Sequence, residues 1–404
     1  MSFIRRQILI LITLLFGCIA CQTSLPFKTD DHKLVLRPGV VAVDVLGRKS
    51  ELEKNQRLAY CASRSSKIPV LKNLSSPEGY GLDRRYNSVS NAIREAGSAC
   101  LAGNQESCMN IQIGALKWAR QSSINFPGGN PDTSQYWNDT LTINMRLLNP
   151  LISALAVAES SKPMPNKDKK FVNTWLKRMI QNFEHGMRFY GHYSGGKFGT
   201  FARKAAHNHA VQSSLAAMSY GAWTDDNPSF RIGLEQWDIT IGSMREDGSL
   251  PIETRRGARA LFYQGRTIAA LIQIAERAKL QGIDLYSRGL SSGKSLHKAV
   301  KFFIDAIREP SIVLKYAKTN YVPGPNKDYT TQYLGGSGSS TFAWIAPYIS
   351  QFPDHANTQA LMSMKAFDSP LSWELVHAVK KNGTSAEWIG VDARCFYASL
   401  KIRF

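Results

Sequence analysis

Apolar residues return every three or four positions in one stretch after another, and this period constrains the chain more than any other feature. Val211, Leu215, Met218 and Ala222 step by four, three and four, which draws one face of a helix. Met109, Ile111, Ile113, Leu116 and Trp118 mark a second helix over Glu106–Arg120. Trp175, Met179, Ile180 and Phe183 mark a third over Phe171–Tyr190. The same reading expects helices over Asn87–Leu101, over Phe230–Met244, and from Arg256 through Ile268, Leu271 and Ile272 to Lys279. Another covers Leu296–Ile307, closed by Pro310. Leu141–Ala158 is long and apolar but contains Pro150, so a kink or break is expected there. Strand-like alternation is scarce, with one short strand expected over Val40–Leu46. Short polar links join the helices, among them the turn Arg245–Gly248, the Lys-rich connector Ser161–Lys170 and the glycine-rich loop Gly191–Gly199. Serial helices with such links predict an all-α fold, an α/α toroid or bundle of antiparallel helix hairpins. Residues 311–404 are expected to hold mixed short elements.

A chain of 404 residues is long enough for one large core. Its first segment reads as an export leader: a basic pair, Arg5-Arg6, then an apolar run from Ile8 to Phe16 too short for a bilayer-spanning helix. Cys18 and Cys21 each end a small-residue stretch similar to a bacterial lipobox, so either is a candidate for lipidation. The expected organisation is therefore a leader over 1–21, a polar tether and lead-in over 22–55, and one folded domain over 56–404. Loss of Arg5 and Arg6 with the leader lowers the net charge from +19 to +17. A balance this basic suits a polyanionic partner such as nucleic acid, an anionic membrane surface or an acidic polysaccharide. Export permits disulfides, and Cys61, Cys100, Cys108 and Cys395 allow three pairings.

Two stretches carry candidate chemistry: His207-Asn208-His209 and Leu250 to Tyr263. On one continuous helix, Arg256 and Tyr263 lie seven apart and share a face, with Arg259 on the same side. Cations beside a phenol suit an anionic substrate that must lose a proton. His207 and His209 do not read as a metal pair, because alternate residues diverge on a helix and no acidic cluster accompanies them. Ser292-Gly293-Lys294-Ser295 lacks the spacing and the preceding strand of a phosphate loop. Asp225-Asp226 reads as a turn or helix cap. Trp137 and Tyr193 are candidate sugar-stacking platforms.

Asp247-Gly248-Ser249-Leu250-Pro251-x-Glu253 followed by Arg256-x-x-Arg259-Ala260-Leu261-x-Tyr263 resembles the alginate lyases of polysaccharide lyase family 5. Asn208-His209 fall where that family has Asn-Asn-His upstream. Cys108 to Ala119 is similar to its cysteine-bearing helix, and Trp344 to Asp354 to its C-terminal helix. The resemblance implies an α/α toroid and β-elimination from a polyuronate, with polymannuronate the leading substrate. Asn208 and Arg256 would neutralise the uronate carboxylate and Tyr263 would protonate the leaving O4. The base would be either Tyr263 or His209. Arg259, His207, Tyr193 and Trp137 would contact the polymer. No cofactor or metal is implied. The partner would be an acidic polysaccharide, not nucleic acid, with the membrane reached only through an N-terminal lipid anchor in the periplasm or envelope.

The chain also departs from the family pattern. His207 replaces an Asn, Val211-Gln212 replace Tyr-Trp, and Gln264 replaces the His after the tyrosine. No basic residue near Ser75–Gly79 matches the family's early Ser-Lys-Tyr, and Gly191–Gly199 looks like an insertion. These changes bear on which uronate polymer is accepted, glucuronan included. They also leave room for a non-catalytic polyuronate-binding lipoprotein on a lyase scaffold.

Overall fold

The computed structural model describes residues 36–37, 44–64, 67–68, 82–121, 147–193, 206–290, 292–318, 328–335, 340–382 and 391–397, with the backbone alone at 82–87, 182–193, 340 and 380–382. The leader, the loop Phe126–Asp132, Ser75–Gly79 and Trp137 lie outside these residues. The described elements are helical: α1 Val45–Lys54, α2 Leu58–Ala62, α3 Leu82–Leu101, α4 Gln105–Gln121, α5 Asn149–Ser161 and α6 Asn166–Tyr193. They continue with α7 Asn208–Thr224, α8 Asn227–Ser243, α9 Pro251–Thr254, α10 Ala260–Leu280 and α11 Leu296–Arg308. Short helices close the chain: α12 Ser311–Ala317, α13 Ile345–Gln351, α14 Ala356–Met362, α15 Pro370–Asn382 and α16 Ala393–Phe396.

Sequence patterning explains how these helices divide into two layers. In α5 the run from Asn149 to Ala158 is buried on every side, as are α7, except His209 and Thr224, and nearly all of α10. A helix apolar all round belongs inside. By contrast α4, α8 and α11 bury one stripe each, for example Phe230, Leu234, Trp237 and Ile241 in α8. The inner helices touch in series, α3 with α5, α5 with α7 and α7 with α10, while each has an outer neighbour. This is an α/α toroid of helix hairpins.

The inner layer is closely packed and pinned by polar contacts. At Gly221 of α7 an added Cβ would stand 2.4 Å from the Phe230 nitrogen of α8, so this hairpin needs glycine to close. Arg277 of α10 is fully buried and crosses three inner helices, donating from Nε to Ser219 Oγ at 2.6 Å and from Nη2 to Ser153 Oγ at 3.2 Å. Burial pushes its pKa down to about 9. Two disulfides settle the pairing left open by the sequence: Cys61–Cys395 joins α2 to α16, and Cys100–Cys108 joins the end of α3 to the start of α4. Leu36 and Leu52, from the expected lead-in, are buried in the same core.

Leu147 and Leu148 are π-helical and α-helix takes over at Asn149, which puts Pro150 in the first α-helical turn, so the irregularity expected at the proline is a change of helix type; residues 141–146 lie outside the described residues. Three other expectations change. Val45 and Leu46 open α1 under an Asp44 cap and are not strand, while Val40 to Val43 lie outside the described residues. Tyr193 ends α6, so Gly191 to Tyr193 are helical, and the rest of that expected loop is not described. Finally, Arg256 and Tyr263 do not share one helix. Arg256 precedes a 3-10 turn over Gly257–Arg259, and the α-helix starts only at Ala260. Gly257 takes φ +57°, a left-handed conformation that interrupts the run.

Candidate active site

The site is built where the amino-terminal ends of α7 and α10 meet. These helices run in the same direction: Asn208, at the start of α7, meets Glu253 just before α10, and Ser219 meets Arg277 further along both. Helix amino termini present unbonded N–H groups and a positive field, a setting that favours an anion.

Glu253 organises the cluster. It lies on α9, is fully buried, and accepts from three groups. The Asn208 backbone N–H donates to its Oε1 in a short contact. Asn208 Nδ2 sits 3.2 Å from Oε1 and 3.3 Å from Oε2. Arg256 Nη1 pairs with Oε2 at 3.2 Å. A buried carboxylate is tolerable only with such partners. Gln212 Nε2, one turn along α7, donates to Asn208 Oδ1 at 3.3 Å and fixes which way that amide faces.

Arg256 then reaches across the 3-10 turn. Its Cζ stands 3.3 Å from the centroid of the Tyr263 ring, a face-on cation–π contact. The adjacency expected from a shared helix face therefore exists, but a turn creates it. The guanidinium against the phenol is that of Arg256. Arg259, which ends the 3-10 turn, is half-buried. Tyr263 is 8% exposed, and among the described residues nothing hydrogen-bonds its hydroxyl.

His207 caps α7: its Nδ1 accepts from the Ala210 N–H at 3.3 Å. Burial first, and the Arg256 charge second, push its pKa down to about 3, so the ring is neutral at pH 7. His209 is half-buried, with its ring edge-on to His207 at 6.0 Å between centroids. Gln264, in place of the family's histidine, holds the preceding turn: Oε1 accepts from Leu250 N–H at 2.9 Å and Nε2 donates to Gly248 O at 3.2 Å.

The structure thus brings together Asn208, Arg256 and Tyr263 around Glu253, with His207 near enough to Arg256 to feel its charge and His209 packed against His207. Trp137 and the side chain of Tyr193 lie outside the described residues. Sequence reasoning assigned no role to Glu253. Its signal was present, an acid three residues before Arg256, but acids are common in a first helical turn and this one did not stand out. Asp225 and Asp226 do form the expected turn, with Asp226 accepting from Ser229 N–H to cap α8. Among the described residues no group of three or more His, Cys, Asp or Glu is placed to hold a metal, and no helix is long and apolar enough to cross a membrane.

Comparison with known proteins adds to this geometry. The alginate lyase family pattern matches residues 121–313, the stretch that holds α7, α9 and α10. A polysaccharide lyase of Stenotrophomonas maltophilia is 27% identical over 168 residues, covering 42% of this chain and 45% of that protein. An alginate lyase of Azotobacter vinelandii is 28% identical over 145 residues, 36% of each chain. The chain spans less than half the length of these relatives. In structure it is similar to alginate lyase A1-III from Sphingomonas species A1, with TM-score 0.62 and 22% identity over 82% of this chain and 93% of that one. A variant of A1-III solved with a tetrasaccharide gives TM-score 0.63. An alginate lyase from Bacteroides ovatus gives TM-score 0.54 at 14% identity, covering 90% and 99%. These structural likenesses share the toroid fold.

Proposed function

We propose that this chain, which shares the sequence pattern and the fold of the alginate lyases, is a polysaccharide lyase that cleaves a polyuronate by β-elimination, with polymannuronate its leading substrate. The observation that carries the reading is the single cluster of Asn208, Arg256 and Tyr263 organised on buried Glu253. The family match and the tetrasaccharide held by a protein of this fold support it.

The chemistry needs those residue types. The C5 proton of a uronate is a poor acid because its removal adds charge to a carboxylate. Arg256 supplies a fixed positive charge where that negative charge gathers. Asn208 shares one N–H between the two Glu253 oxygens and offers the other to the substrate carboxylate. Because Glu253 and Gln212 hold them, neither group needs to reorganise as charge develops. Tyr263 gives its proton to the departing O4. Where the C5 proton and O4 leave from one ring face, as in mannuronate, Tyr263 also serves as base. Where they leave from opposite faces, His209 takes the proton.

The same reading places the protein in the cell envelope. A leader ending just before Cys21 or Cys18 delivers it, a lipid on that cysteine anchors it, and the residues between the cysteine and Leu36 link that anchor to the domain, whose core already includes Leu36 and Leu52. The partner is an acidic polysaccharide, and membrane contact is limited to the anchor. The catalytic reading is tested with Tyr263→Phe. Turnover should vanish while the variant still binds uronate polymer, and retained turnover would remove Tyr263 from the mechanism.

A further inference from the structure

Beside the Tyr263 turn runs a short strap, residues 328–335. Gln332 clamps it to the turn: its Nε2 donates to Gly257 O at 3.0 Å, and its Oε1 accepts from the Leu261 N–H at 3.3 Å. The Tyr333 N–H donates to Ala258 O at 2.8 Å. The strap is thus bonded to the same residues that carry Arg256 into α10. Its side chains alternate: Gln332 and Leu334 are buried, whereas Tyr333 between them is 39% exposed.

Tyr333 is not loose on the surface. Its ring stacks on Phe262 at 6.1 Å between centroids and 26° between planes. Phe262 in turn meets Tyr263 edge-on at 4.9 Å. The guanidinium carbon of Arg266 lies 5.4 Å from the Phe262 centroid on α10, so Phe262 is held in place. Other exposed aromatic residues among those described are Phe171, Phe367 and Trp373, and Trp373 is stacked on His377. Tyr333 stands out because backbone bonds and a ring stack fix an exposed ring one aromatic residue away from the phenol of the site.

We propose that Tyr333 is a substrate-positioning residue, a stacking platform for the apolar face of a sugar ring next to the one that reacts. The inference rests on the polyuronate reading above and names where the polymer lies on that site. A pyranose presents C–H bonds on one face, and an immobilised aromatic ring covers them at little entropic cost. The polymer would then run from Tyr263 across Phe262 toward the strap.

The test compares kcat and KM of the full mature chain with Tyr333→Ala, Tyr333→Leu and Tyr333→Phe on long polymannuronate and on short oligomers. Removal of the ring, by Ala or by Leu, should raise KM for polymer roughly tenfold with kcat little changed. The effect should shrink for oligomers too short to reach the platform, and Phe should restore the parent KM. Leu keeps apolar bulk on Phe262, so a fold that fails with Ala still leaves a readable variant. An unchanged KM in the Leu variant, or a fall in kcat alone that Phe also shows, overturns the inference. If the unsubstituted chain turns over no uronate polymer, the polyuronate reading falls and the platform falls with it. The parent enzyme therefore separates the two failures.

Discussion

At the scale of single residues, Glu253 fixes more of the site than any group that faces a substrate. Replacing it with Ala removes the acceptor for Asn208 and leaves Arg256 without its buried carboxylate, which should cost about 3–5 kcal/mol of stability. Glu253→Gln keeps the shape but not the charge, and should fold while losing most of its turnover; thermal melts and initial rates on the two variants check both statements. His207 makes a different prediction. Its folded pKa, about 3, lies below the unfolded value near 6.5. The unfolded chain therefore binds more protons below pH 6.5, and stability present above that pH is lost as pH falls toward 3. The slope approaches about 1.4 kcal/mol per pH unit. Asn is also a good helix cap, so His207→Asn should keep α7 capped and flatten the acid limb of the stability profile. An unchanged limb in urea melts from pH 7 to pH 4 would show that His207 does not cause it. His209→Ala separates the two base assignments, since it should spare mannuronate cleavage and abolish any cleavage of guluronate.

At the scale of elements, the turn at Gly257 decides whether cation and phenol meet. Gly257→Ala places a Cβ at φ +57°, which should cost about 1 kcal/mol and lower kcat by shifting Arg256 over the Tyr263 ring. A melt and a kcat measurement on that variant read both effects. This turn also shows how far the sequence can be read. The apolar period located α4, α7, α8, α10 and α11, because burial of a helix face writes itself into spacing. The same period ran through Arg256 as though helical, and it cannot register one glycine in a left-handed conformation. Pro150 did mark an irregularity, the change from π-helical Leu147–Leu148 to α-helix, because a proline is excluded from a helix interior but tolerated in its first turn. Glu253 and the cap role of His207 were illegible because both depend on partners 45 and 3 residues away that only the fold brings to them. Tyr333 was missed because the alternation that exposes it spans only Gln332 to Leu334, too few residues to stand out in a sequence.

At the scale of the whole molecule, inner helices buried all round and outer helices buried on one stripe form the toroid, and the site lies at the amino-terminal ends of α7 and α10. Cys61–Cys395 ties residues 334 apart and so links the first helices to the last. Cys61→Ser with Cys395→Ser should lower stability by about 2–5 kcal/mol while leaving KM for polymer near its parent value, because the bridge lies outside the Asn208–Tyr263 cluster. The net charge of +19 over the full chain fits attraction to a polyanion, and polymer association should weaken as salt rises. The central claim is elimination itself. Incubating the mature chain with polymannuronate, polyguluronate and glucuronan, and following the ultraviolet absorbance of a new C4=C5 double bond, tests it most directly. The account predicts rising absorbance, fastest with polymannuronate and absent for Tyr263→Phe; no absorbance with any of the three polymers would contradict it.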